Sequence, residues 1–226
     1  RILELLYQNY KGKVISKQNI DEIREKVSKI TEEVFKEYQK NEEIAGKNIF
    51  VQRTIEEYVM KFLDIDQRNV SDNVVKLLYL EEKIQIDVRY NDFPFPIRFN
   101  GTIDRVEQRG EDIYIVDYKS GIVEKGQVAL NEKKWENLIQ DYEYSKAFQL
   151  LMYAYLLFKT GMIGEDKRVY VGNYSFRRLK LGFIGFRNGK DKDISPVDTD
   201  VRTAFEQKLL QLLKEIYDPS LPFVEK

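Results

Sequence analysis

Asp117 and Lys119 stand one residue apart in the stretch IVDYKSG (115–121), which reads as the end of a β-strand. Residues two apart on a strand share a face. A carboxylate and an ammonium therefore point the same way here, while Val116 and Tyr118 face the other side. Asp104 lies upstream in GTIDRVE (101–107) and arrives beside Asp117 if the two segments pair through Arg109-Gly110-Glu111. Two carboxylates held that close repel each other unless one is protonated or a cation sits between them. Mg²⁺ takes oxygen ligands, often one or two carboxylates together with substrate phosphates. A lysine at its side can hold or deprotonate a water, or offset charge on a phosphorane-like transition state. Taken alone, an Asp-x-Lys reads as well as an inter-strand ion pair of small energetic weight. Its surroundings have to decide.

Composition removes most other chemistry. The chain has no cysteine and no histidine, which excludes thiol nucleophiles, Cys-ligated zinc and iron–sulfur sites, and the usual imidazole base within these 226 residues. Hydrolysis here must use carboxylates with a hard metal, or lysine or tyrosine. With 37 Lys and Arg against 38 Asp and Glu, a bound polyanion would have to meet a local basic groove. No stretch approaches the roughly 20 apolar residues of a membrane span, and no secretory signal pattern opens the chain. A cytoplasmic protein with no membrane partner is expected. The chain opens at Arg1 without a methionine, which suggests a C-terminal segment of a longer protein.

The elements that must position these residues follow from periodicity. Residues 1–80 read as helical. Ile20, Ile23, Val27, Ile30, Val34 and Tyr38 recur at three- and four-residue steps, with Asn19 or Asp21 as cap and Asn41 closing the polar end. Ile49, Val51, Ile55, Val59 and Phe62 mark a second helix over 48–66, and a short third one is expected over Asn73–Leu80. The period then changes to two, with Ile84, Ile86 and Val88 alternating in a half-buried strand. Pro94 and Pro96 end it. Strands over 97–108 and 112–119 follow, then an apolar helix over 144–160, one or two strands over 168–186, and a last helix from Asp200 to Tyr217. Helices around a mixed β-sheet give an α/β fold. A single domain over 1–226 is expected, helical to about residue 80 and catalytic from about residue 81.

Three ordered motifs carry a family resemblance. Gly101, Asp104, Arg105 and Val106 precede Asp117, Tyr118, Lys119, Ser120 and Gly121, and these precede Gln149 and Tyr153 in QLLMYAYL (149–156). Together they resemble the RecB/AddB-like nucleases of the PD-(D/E)XK superfamily, and GNYSFRRL (172–179) resembles that family's late strand. The resemblance covers about residues 46–223. It implies a restriction-endonuclease-like core and a metal-dependent DNA nuclease, an exonuclease in DNA repair and recombination, using Mg²⁺ or Mn²⁺. Asp104, Asp117 and the carbonyl of Tyr118 would be metal ligands, and Lys119 the catalytic base or charge stabiliser. Gln149 and Tyr153, one helical turn apart, would face the nucleic acid, whereas Tyr155 reads as core. DNA with single-stranded character is the implied substrate, with a helicase or the rest of a longer chain as partner.

The chain departs from the family twice. Many relatives carry a metal-ligand histidine in a G-x-x-x-H stretch, where GKNIF (46–50) has Phe50; Glu56 or Glu57 could stand in, or could simply be solvated. Many also continue past a segment like IYDPSLPF into a cysteine cluster, and this chain ends at that segment. Lys125, Lys133, Lys134, Trp135, Arg177, Arg178 and Lys180 are basic and aromatic candidates for a nucleic-acid groove, Lys134 and Arg177 foremost. A catalytically impaired module of the same fold, binding nucleic acid or docking a partner, is the rival function.

Overall fold

Alternation on two strands organises the structure, a computed structural model that describes residues 1–39, 46–189 and 193–222. The central sheet is mixed and six-stranded, flanked by helices, in the order β1-β2-β3-β4-β6-β7. Its strands are β1 (Val14–Ile15), β2 (Val75–Val88), β3 (Ile97–Arg109), β4 (Asp112–Lys119), β6 (Val169–Ser175) and β7 (Ile184–Gly185). Two further short strands, β5 (Ala129–Leu130) and β8 (Arg187–Asn188), pair in parallel. The helices are α1 (Ile2–Tyr7), α2 (Lys17–Tyr38), α3 (Lys47–Asp72), α4 (Glu132–Asn137), α5 (Ser145–Lys159) and α6 (Thr199–Tyr217). None of the described helices is long and apolar enough to cross a membrane.

The chain forms two compact units. The first comprises residues 1–82, 103–122 and 173–183. Its core joins Ile20, Ile23 and Val27 of α2 to Val59, Phe62 and Leu63 of α3, with Leu77, Val116 and Tyr174 from the strands. The expected stripe on α2 is thus buried in its first half, whereas Tyr38 is exposed. The cap is Ser16 rather than Asn19 or Asp21. Ser16 Oγ accepts from the Asn19 backbone N–H at 3.2 Å while Asn19 Oδ1 accepts from the Ser16 backbone N–H at 3.0 Å, a reciprocal box that satisfies two orphan donors. Asn41 lies outside the described residues.

The expected third helix does not exist: β2 already begins at Val75. Val75 and Leu77 are buried and Lys76 is exposed, and Val75 and Lys76 pair with Ile15 and Val14 of β1. An apolar run of this length fits either period; a pairing partner some sixty residues upstream selects the strand. The stretch expected as one or two strands over 168–186 is interrupted by a 3₁₀ turn at Phe176–Leu181. By contrast β3 and β4 form the expected hairpin, with Arg105 opposite Val116 and Arg109 opposite Asp112. Gly110 opens its two-residue loop at φ 59°, a left-handed conformation that glycine adopts without steric cost.

Arg105, Glu107 and Arg109 share one face of β3, and that face is ionic yet buried. The Arg105 guanidinium bonds Asp66 of α3 at 2.7 Å and Glu107 at 2.6 Å, and reaches the Tyr118 hydroxyl at 3.3 Å. Tyr7 donates to Asp66, and Arg109 bonds both Glu107 and the Tyr174 hydroxyl. Burial alone would drive the Arg105 guanidinium toward losing its proton; Asp66 and Glu107 outweigh it, and its pKa lies well above the ordinary value. Burial likewise works against ionised Glu107, but Arg105 and Arg109 prevail and hold it below the usual carboxylate range.

The second unit comprises residues 83–102, 123–172 and 184–226. Here α5 and α6 pack through Phe148 on Phe205, with ring centroids 5.3 Å apart. A Cβ on Gly101 would lie 3.2 Å from Leu156 Cδ1 of α5, so the glycine lets strand and helix approach. Tyr155, expected in the core, is buried there with its hydroxyl 2.6 Å from that of Tyr90.

Truncating Arg105 leaves two acids stranded in the core. Arg105→Ala should therefore lose about 3–5 kcal/mol of stability, read as a lower urea midpoint, whereas an exposed arginine such as Arg177 replaced by alanine should leave the midpoint within about 0.5 kcal/mol.

Candidate active site

The opposite face of the β3–β4 hairpin carries the acids. Continuing the register of Arg105 with Val116 sets Asp104 opposite Asp117, and directly opposed residues in an antiparallel pair share a face. Asp104 Oδ2 accepts from the Tyr118 backbone N–H at 2.7 Å. Asp117, buried, accepts from Lys119 Nζ at 2.9 Å. Asn173 of β6 adds its amide: Nδ2 donates to Asp117 Oδ2 at 2.8 Å. All four side chains belong to the first unit.

Electrostatics mark Asp104 as the strained member. Burial raises its pKa, the Tyr118 N–H opposes that, and the charges of Asp117 and Glu81 push further up, Lys119 counteracting in part. The result is a pKa raised to about 6. Glu81 is the contributor that sequence reading missed. It sits in β2 at φ 43°, the one non-glycine residue with positive φ among the described residues, a conformation that long side chains adopt at a cost of order 1–3 kcal/mol. No spacing rule would have found it, because its strand is continuous and its backbone angle is invisible in sequence. Asn173 was within reach, lying inside the quoted GNYSFRRL stretch.

A divalent cation fits this donor set. The oxygens of Asp104 and Asp117 are hard ligands, the carbonyl of Tyr118 follows directly on Asp117, and the chain offers neither thiolate nor imidazole. Buried Asn173 Oδ1 has no hydrogen-bond partner, an acceptor whose vacancy a cation or its water would fill. Among the described residues no three acidic groups form a ready metal cage, so water and phosphate oxygens would complete the shell.

The remaining candidates are placed as follows. Tyr118 contributes its backbone to this site and its hydroxyl to the Arg105 network. Gln149 and Tyr153 lie on α5 in the second unit, Gln149 Nε2 donating to the Tyr153 hydroxyl at 2.6 Å, with Tyr153 buried. Lys134, in the same unit, bonds the Gly126 carbonyl at 3.3 Å and lies over the Tyr144 ring. Arg177 is exposed, in the turn after β6. Phe50 is exposed on α3. Glu56 bonds Gln52 and Glu57 bonds Lys61, and both line a groove with Arg53, Met60 and Asp64, whereas Glu81 and Asp104 line one cavity together.

Opposed acids with an adjoining lysine and amide make a donor set of the kind that can hold a divalent cation beside a phosphate. The comparison of the sequence with protein families agrees: the profile of the PD-(D/E)XK nuclease superfamily matches residues 1–226, and the chain belongs to that superfamily. Membership implies a nuclease that works with divalent metal and acts on DNA. No curated protein matches the chain as a relative.

The raised Asp104 pKa has a consequence for stability. An acid with a folded pKa near 6 against an unfolded value near 3.8 favours folding fully below the lower value, and this contribution is lost as pH rises through the upper one. Asp104→Asn keeps an acceptor for the Tyr118 N–H and removes the charge. In chelator, the variant should exceed wild type by about 1–3 kcal/mol at pH 7 and match it near pH 4, measured as urea midpoints. A variant less stable than wild type at pH 7 would refute the crowding of charge.

Proposed function

We propose that this chain is a RecB/AddB-like nuclease domain, an exonuclease that cleaves DNA with single-stranded character during repair and recombination in the cytoplasm. The observation that supports this is the opposition of Asp104 and Asp117 across the hairpin, with Lys119 paired to Asp117. The three sequence motifs supply the subfamily. The chain is read as one nuclease domain, serving a helicase or the remainder of a longer protein.

Asp104, Asp117 and the Tyr118 carbonyl would hold Mg²⁺ or Mn²⁺. When bound, the ion supplies Lewis-acid neutralisation of the phosphate and a more acidic water. Lys119 Nζ, fixed by Asp117, orients the attacking water and offsets the charge that grows on the phosphate oxygens. Asn173 holds the Asp117 carboxylate in place through its amide, and the Arg105–Tyr118 bond holds the strand end. Gln149, Tyr153, Lys134 and Arg177 are the proposed contacts to nucleic acid, Arg177 as an exposed cation for the phosphate backbone. The absence of histidine supports a second reading, a nuclease fold with little activity that binds nucleic acid or a partner.

Lys119→Ala and Asp117→Ala should each lower Mg²⁺- or Mn²⁺-dependent DNA cleavage by at least about 10²-fold, with circular dichroism unchanged. Linear strands labelled at one end should release mononucleotides or short products, and circular single strands should resist. Equal cleavage by wild type and both variants would remove the catalytic assignment. A metal-binding wild type that cleaves nothing would favour the second reading.

A further inference from the structure

Asp104 is among the residues that line a cavity of about 520 Å³ in the first unit, within the size range of small-molecule sites. Nuclease chemistry at Asp104 needs a phosphate and a metal, and neither calls for the apolar part of this cavity. Ile55 and Tyr58 of α3 and Phe176 line its apolar part, with Tyr118, while Asp104 and Glu81 stand among the lining residues as carboxylates. The cation among them, Arg1, is engaged with Glu4 at 3.2 Å. Tyr58, Tyr118 and Phe176 form an aromatic group, with Phe176 at 6.3 Å from the Tyr58 ring and 6.0 Å from that of Tyr118, both tilted. Phe176 is anchored from beneath by Phe62 at 6.2 Å, whereas Tyr58 and Phe176 both retain exposed surface.

A flat, apolar, π-rich ligand covalently attached to a phosphate matches such a space. A nucleobase is that ligand, and every base has a π-face, so recognition by stacking tolerates any sequence. We propose that this cavity receives the base of a nucleotide adjoining the cleaved phosphate, selecting strands whose base is unpaired at that position. The proposal rests on the nuclease reading and adds a basis for single-strand preference: a paired base must first leave its stack to enter, which a duplex resists. The carboxylates at Asp104 and Glu81 repel a phosphate from the cavity itself, so the backbone is kept at the metal-binding end while the base occupies the apolar end.

An abasic nucleotide walked along a single-stranded oligonucleotide tests this with the whole chain. With Mn²⁺, one position next to the cleaved bond should lose roughly tenfold to a hundredfold in kcat/KM when its base is missing. Tyr58→Leu should cleave intact DNA more slowly and lose most of that sensitivity, because its cavity no longer stacks a base; Tyr58→Phe should restore it. Urea midpoints for both variants separate loss of fold from loss of stacking. Equal cleavage at every abasic position, or undiminished sensitivity in Tyr58→Leu, would overturn the base site while leaving the nuclease reading intact. A wild type that cleaves no DNA would sink the nuclease reading instead. The base site is then read by 2-aminopurine fluorescence in Ca²⁺: quenching lost in Tyr58→Leu sustains it, and no quenching by wild type overturns it.

Discussion

A guanidinium enclosed by two carboxylates governs the first unit. Arg105 is almost wholly removed from water, as are Asp66 and Glu107. Desolvating three charges is expensive, and the arrangement persists only because each remaining donor and acceptor finds a partner. Tyr7, Asn69, Tyr118, Tyr174 and Arg109 provide those partners. An apolar filling of equal volume could stabilise the fold as well. What the ionic cluster adds is direction: its bonds are satisfied in one register of β3 and at one rotation of α3.

That direction reaches the site through strand parity. Odd-numbered Arg105, Glu107 and Arg109 enter the cluster, so even-numbered Asp104 faces the other side, and a slip of one residue would exchange them. Such a slip would put Asp104 among buried acids and leave Arg105 facing the side of Asp117. Tyr118 is the link, since its hydroxyl belongs to the cluster and its N–H belongs to Asp104. The position of Asp104 is therefore held from behind the hairpin, by the residues of the ionic cluster.

Much of this was legible in local sequence. The Asp117-x-Lys119 pair, the Gly110 loop and the period-two pattern after residue 81 are statements about neighbours, and local geometry delivers them. Residues 73–80 were misread because a short, mostly apolar stretch interrupted only by Lys76 fits either period, and its partner in β1 is far upstream. Ser16 was missed as a cap because Asn19 is itself a good cap residue and here plays the reciprocal part. The pairing of Asp66 with Arg105 joins residues 39 apart, and nothing in either segment announces it. Glu81 is hidden for a different reason: its importance is a backbone angle, a property that composition does not record.

The two-residue loop at Gly110 bears on assembly as well as on geometry. Asp104, Asp117 and Lys119 all lie within one hairpin, and hairpins close on the order of microseconds. The acids thus meet through a short closure, before α3 need contribute Asp66 from 39 residues upstream of Arg105. At that moment they repel, and the cluster that locks their strand is still absent. A hairpin that brings two carboxylates together before its locking cluster exists forms against their mutual repulsion, so pH and ionic strength act on the nascent hairpin as well as on the folded chain.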